Sequence, residues 1–239
     1  MARFGVFIAL DSPASVEMAG WAGWEYCVID CEHGPIDNAF LPNMLRAARI
    51  PAYVRVPNSN PECIQGALDN GADGVIVPRL RSADEARRVV EAARFFPKGK
   101  RGVNHMVRAA RYSLEPVAAY LENADKRARV IVQIETAEAL DCVEAIAATP
   151  GLDELFIGPY DLSQALEIPG QVLDERLLRA GRRILDAAHG NGLELSVFVN
   201  SDDAARTWIA LGADSLHYSA DTFLLAQAMR QTRERLRGL

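Results

Sequence analysis

The chain has 239 residues, 49% hydrophobic and 24% charged, with a formal net charge of −6. That balance suits one globular domain over 1–239 with a large core, a size at which α/β barrels of about 250 residues fold as single units. Acids and bases are interspersed without a basic stripe, which argues against nucleic acid, and no apolar run approaches the roughly 18 residues of a membrane span.

The amino-terminal stretch carries no signal-peptide cleavage pattern and passes straight into a first strand, so a cytoplasmic protein is expected. In chain order, strand-like runs fall at 4–10, 26–31, 52–56, 74–78, 130–135, 154–158, 194–199 and 214–219. Helical patterns fall between and after them, at 13–20, 37–49, 61–70, 83–95, 137–148, 173–190, 202–211 and 222–236. Helix starts are legible at Ser12-Pro13, Ser82 and Ser201. Helix stops are legible at Asn70-Gly71, Asn191-Gly192 and Leu211-Gly212, where the chain needs φ > 0. Strand and helix alternating eight times predict an α/β protein, a closed (β/α)8 TIM barrel. One connection breaks the rhythm. Residues 97–129 carry Arg101, His105, Arg108 and Arg111 and a short helix near 116–127, and a segment of that length reads as a substrate lid or a subunit contact. The four cysteines, Cys27, Cys31, Cys63 and Cys142, show no zinc-type pairing and read as buried free thiols.

The stretch 130–163 carries the chemistry. Val130-Ile131-Val132-Gln133-Ile134 runs into Glu135, and Leu155-Phe156-Ile157 runs into Gly158-Pro159-Tyr160-Asp161. Both runs read as strands buried on two faces, joined by a helix. Carboxyl ends of successive parallel strands lie side by side, so Glu135 and Asp161 should converge at one rim. Two carboxylates there suit a hard divalent cation, or else each acid is a helix N-cap. Reading the other strand ends in turn gives Asp30, Glu32 and His33, then Arg55, Arg79, Gln133, Asn200, and His217, Tyr218 and Ser219. Of these, His33 is suited to moving protons near neutral pH.

VQIET and FIGPYDLS, with VIDCEHGPID, PAYVRVP, LDNGADGVIVP and FFPKGKRGVN upstream, resemble the HpcH/HpaI aldolase family of class II pyruvate aldolases. The resemblance runs in order over nearly the whole chain. It implies metal-dependent making or breaking of a carbon–carbon bond through the enolate of a 2-oxo acid, with an aldehyde or acyl acceptor. It implies Glu135 and Asp161 as ligands of Mg2+, Mn2+ or Co2+, His33 as the proton acceptor and Arg55 as the group that stabilises the enolate. Asp69 is implied to raise the basicity of that histidine, and Asp30 joins the catalytic set. Arg55, Gln133, Gly158, Pro159, Tyr160 and Asp161 are implied to contact substrate. It further implies a homo-oligomer, a hexamer or other dimer-based assembly, and the apolar residues of the last helix agree with that.

Tyr160 departs from the alanine of several family members, and His217-Tyr218-Ser219 is bulkier than a Val/Gly-rich run. The chain's three lysines, Lys98, Lys100 and Lys126, all lie in the long connection, which argues against a Schiff-base mechanism. The loops after strands seven and eight lack a glycine-rich phosphate cradle. The alternatives are a citrate synthase-like or CoA-ester lyase reaction on a dicarboxylate such as oxaloacetate, and a non-catalytic binding barrel.

Overall fold

Short β-branched and aromatic runs bounded by glycine and proline form strands that are covered on both faces, and β2, β4 and β6 are buried throughout. The computed structural model describes residues 2–239. Its strands are β1 (Arg3–Ile8), β2 (Tyr26–Asp30), β3 (Ala52–Arg55), β4 (Gly74–Val77), β5 (Arg129–Ile134), β6 (Glu154–Ile157), β7 (Glu194–Val199) and β8 (Ser215–Ala220). Each pairs in parallel with the next and β8 closes onto β1, completing the eight-stranded barrel. Around it lie α1 (Pro13–Trp21), α2 (Leu41–Ala47), α3 (Pro61–Asp69), α4 (Ala83–Ala93), α5 (Val117–Arg127), α6 (Ala137–Asp141), α7 (Val143–Ala147), α8 (Pro159–Ala165), α9 (Glu175–Gly190), α10 (Asp202–Leu211) and α11 (Asp221–Arg237). No helix among the described residues is long and apolar enough to cross a membrane.

The helix signals act as the sequence predicts. Ser82 and Ser201 accept the backbone N–H groups of Glu85 and Ala204, and Gly71, Gly192 and Gly212 take positive φ. Two elements differ. The helix expected over 137–148 breaks at Cys142, whose φ of −117° and ψ of 25° leave the helical region. The turn after β6 is itself a helix, α8, begun by Pro159 at its first position.

The barrel interior has three levels. At the amino end, Arg129 bridges Glu154 at 2.9 Å and Glu194 at 2.6 Å, and Arg3 joins Glu194. In the middle, Phe7, Tyr26, Tyr53 and Phe156 pack with Val28, Ile76 and Ile131. Gly5 makes room there, since a Cβ on it would strike the Tyr26 ring. At the carboxyl end the interior turns polar again with Asp30, Arg55 and Gln133. Outside the strands, a second core of residues such as Met44, Ile64, Val89, Leu177, Ile184 and Trp208 binds helices to barrel. Three polar side chains over an aromatic plug leave the carboxyl end open to a ligand.

The long connection lies at the other end. It follows α4 and precedes β5, so topology places it at the amino ends of the strands. Arg101 binds Asp69 there at 2.5 Å, and Arg108 donates to the Asn70 carbonyl at 2.7 Å. It therefore does not cover the carboxyl-end mouth of its own barrel, which removes the lid reading within one chain.

Candidate active site

A cavity of about 310 Å³ opens at the carboxyl ends of the strands. Asp30, His33, Arg55, Gln133, Gly158, Pro159, Tyr160 and Asp161 line it, together with Phe7, Phe156, Phe198 and Ala220. Register explains the first pairing. Asp30 and Arg55 are direct partners across β2 and β3, and the carboxylate takes the guanidinium in a two-pronged bond of 2.9 and 2.7 Å. Asp30 also accepts the N–H groups of Glu32 at 3.0 Å and His33 at 3.3 Å, so it shapes the loop that carries the histidine.

Glu32 sits behind this pair, with only 4% of its side chain exposed. Arg55 approaches it at 3.2 Å, Arg79 at 2.9 Å and His33 Nε2 at 3.8 Å. Two cations around one buried carboxylate compensate its desolvation. Burial alone would lower the Arg55 pKa, but the bonds to Asp30 and the charges of Asp30, Glu32 and Glu135 raise it. Arg55 is thus a fixed cation against the Phe7 ring, 4.9 Å from its centroid. His33 is different: its side chain is 57% exposed at the mouth.

Neither Glu135 nor Asp161 is an N-cap. Thr136 caps α6 by accepting from the Ala139 N–H, Gly158 precedes α8, and Asp161 falls in the first turn of α8. Glu135 is buried, while Asp161 is exposed over the cavity. Glu135 Oε1 accepts the Arg79 N–H at 2.7 Å, and Oε2 accepts from Gln133 Nε2. Arg79 reaches that bond with φ of +57°, a conformation costing a non-glycine residue about 1–3 kcal/mol that the contacts around it sustain. Burial pushes the Glu135 carboxyl up to about 7; the Arg79 N–H opposes this, and the Asp161 and Glu32 charges add to it.

This donor set fits a hard divalent cation. Two carboxylates converge, and Gln133 Oε1 is buried without a hydrogen-bond partner. Gly158 lets its backbone pack close against Gln133 and Glu135: a Cβ there would overlap Gln133 Nε2 and stand 2.7 Å from Glu135 Oε2. Among the described residues no group of three or more His, Cys, Asp or Glu gathers as a metal cluster. Any remaining ligands would come from water and substrate, as magnesium-type sites allow.

Two expected residues fall elsewhere. Asp69 ends α3 at the amino face and is paired with Arg101, so within one chain it does not reach His33. His217 lies inside the barrel rather than on its rim, against the rings of Phe7, Tyr26 and Phe156. β8 continues past it to Ala220, with a bulge on the way. Gly5 pairs with His217 but Phe7 with Ala220, and the extra residue, Ser219, takes φ of +62°. That bulge brings Ala220 to the cavity. Strand-end reading misses Phe7, Phe156 and Phe198 because they lie within strands. Alternation along β1, β6 and β7 is the signal that finds them. Cys31, beside Asp30, is no nucleophile: burial and then the Asp30 charge push its thiol up to about 12.

The HpcH/HpaI aldolase/citrate lyase family profile matches residues 3–228. A hydroxypyruvate/pyruvate aldolase of Paraburkholderia phytofirmans is 35% identical, over 98% of this chain and 93% of that protein. An HpcH/HpaI aldolase/citrate lyase family protein from Burkholderia cenocepacia superposes with a TM-score of 0.93 at 35% identity, covering 99% of this chain and 95% of that one. The citrate synthase SbnG superposes at 0.90 with 27% identity, covering 99% and 94%.

Proposed function

Because the chain belongs to the HpcH/HpaI aldolase/citrate lyase family, we propose that it is a metal-dependent carbon–carbon lyase of the class II pyruvate aldolase type. It cleaves a 4-hydroxy-2-oxo acid to pyruvate and an aldehyde, or joins them. The observation that carries this reading is the meeting of Asp161, the unpartnered Gln133 Oε1 and Arg55 in one cavity, with the Glu135 carboxylate bonded to Gln133 directly behind its lining. Glu135 and Asp161 would hold Mg2+, Mn2+ or Co2+, which supplies a Lewis acid for the 2-oxo group.

The other roles belong to the chain's own side chains. Arg55, fixed by Asp30, presents a cation to the oxygen where enolate charge develops, a charge-assisted hydrogen bond worth about 1.5–3 kcal/mol. Gln133 and the Gly158–Asp161 turn bound the donor's carboxylate and carbonyl. In cleavage, His33 takes the proton of the 4-hydroxyl as the C3–C4 bond breaks. The bond's electron pair passes into the enolate, the aldehyde carbonyl forms, and C3 regains a proton to become the methyl of pyruvate. No co-reactant is needed.

The test is metal removal. Chelated enzyme should lose activity and regain it with magnesium, manganese or cobalt; full activity after verified removal would overturn the assignment. We also propose a reducing cytoplasmic setting, supported by four cysteines that are all free. Association of copies through α11 is proposed on its lack of any buried residue.

A further inference from the structure

The cavity mouth has two unlike halves. From β3 to β6 it carries Arg55, Gln133 and Asp161, with Glu135 behind Gln133, the groups assigned to the 2-oxo acid. From β7 through β8 to β1 its lining is Phe198, Ala220 and Phe7. Tyr160 stands at the junction. Its side chain is at the cavity and 44% exposed, edge-on to Phe198 with centroids 6.2 Å apart. Its phenol oxygen accepts from Asn200 Nδ2 at 2.5 Å, leaving the phenol O–H as a donor.

Charge separates the halves further. The loops after β7, β8 and β1 bring Asp202, Asp203, Asp221 and Asp11, against one cation, Arg206. Arg206 is already 3.0 Å from Asp203. Within the lining the permanent cation is Arg55, held by Asp30 and Glu32. A second carboxylate on the aldehyde side would therefore meet aromatic rings in the lining, with acids in the loops beyond and no lining cation on that side to receive it. Unpaired anions in such surroundings are costly.

We infer that the acceptor of this enzyme is an uncharged aldehyde bound against a wall formed by Tyr160 and Phe198, with Asn200 holding the Tyr160 phenol, and that these residues set its specificity. This rests on the aldolase reading above. The new bond joins the methyl carbon of pyruvate to the aldehyde's carbonyl carbon. The proton the methyl loses balances the one the new hydroxyl gains.

The experiment compares butanal with succinic semialdehyde, which bears a carboxylate where butanal has its methyl, and adds benzaldehyde as a ring probe. With pyruvate as donor, kcat/KM should favour butanal over succinic semialdehyde by about ten-fold or more, as an unpaired carboxylate at a partly dry site requires. Asn200→Arg should narrow that ratio by supplying a cation. Phe198→Ala should lower the benzaldehyde-to-butanal ratio, because a ring loses its edge contact. Each ratio is taken within one protein preparation, so partial misfolding of a variant does not move it. Exchange of pyruvate methyl protons into deuterated water is measured in parallel on the unaltered enzyme. If exchange proceeds and succinic semialdehyde matches butanal, the inference is overturned while the enolate chemistry stands. Ratios unmoved in both variants likewise overturn it. Absence of exchange with every metal removes the aldolase reading, and this inference with it.

Discussion

Arg55 and His33 stand at different depths of one cavity, 12% and 57% exposed at the side chain, and the proposed reaction assigns them different steps accordingly. In the proposed reaction the buried guanidinium faces the donor's carbonyl, so Arg55→Ala should suppress both cleavage and pyruvate proton exchange, by roughly ten- to a hundred-fold or more. In that same proposal the histidine at the mouth serves the acceptor's hydroxyl, so His33→Ala should cripple cleavage yet leave exchange measurable by proton NMR in deuterated buffer. Normal exchange in Arg55→Ala with none in His33→Ala would reverse these roles. Gly158 matters through the atom it lacks. Its φ of −89° is open to any residue, so Gly158→Ala should fold normally while its methyl displaces Gln133 and Glu135. Misplacement of about 1 Å at such a site costs about a hundred-fold in kcat/KM; a variant as active as the parent would show that this close packing is not used. At this scale the sequence is most readable where strands end. Asp30, His33, Arg55, Gln133, Glu135 and Asp161 follow from topology alone. Asp69 does not, because its neighbours in space come from a connection whose path no periodicity reveals. Glu32 is read at a strand end too, but not the two arginines that surround it.

The elements were more legible than their edges. Pro13, Ser82 and Ser201 mark helix starts through constraints within three or four residues, so local sequence suffices. The break at Cys142 and the bulge at Ser219 depend on how each segment packs, and β8 accordingly begins and ends one residue later than the pattern predicts. The last helix carries the clearest consequence. Over its length α11 buries no residue, and Phe223, Leu225, Met229 and Leu236 are exposed. Met18 and Trp21 of α1 are exposed as well. Apolar area left in water forfeits about 25 cal/mol per Å², so the helix is expected to be covered by another copy. Light scattering at micromolar concentration should return a multiple of the chain mass, and Met229→Glu should shift the population toward smaller species. A monomer in the unaltered protein would contradict this.

On the scale of the molecule, eight alternations of strand and helix leave few other ways to bury so many two-faced strands, so the closed barrel was readable from the rhythm alone. What the rhythm could not convey is the inside, where each side chain meets partners from across the barrel. His217 is the case with the largest consequence for the whole fold. Both ring nitrogens are buried and unpartnered. The ring packs against Phe7, Tyr26 and Phe156 at 5.5, 5.4 and 4.5 Å. Burial first, then the charges of Arg55 and Arg3, lowers its pKa to about 3. Tyr26, the other titratable ring against it, has its phenol pushed up by burial and stays neutral, so it offers no compensating charge. The unfolded chain takes up a proton at this histidine below about pH 6.5, whereas the folded chain resists it until about pH 3. The unfolded state therefore binds more protons between those values, and stability falls as pH falls, by up to about 1.4 kcal/mol per pH unit. For a chain of this size each kcal/mol corresponds to roughly 2–4 °C in Tm. His217→Phe keeps an aromatic ring in the slot and removes the titration, so its Tm should decline less than the parent's between pH 6.5 and pH 4.5, by about 5–10 °C across that interval. Calorimetry at matched ionic strength decides it: parallel declines in the two proteins would show that other groups govern the acid limb, and a steeper decline in the variant would reverse the sign of the argument.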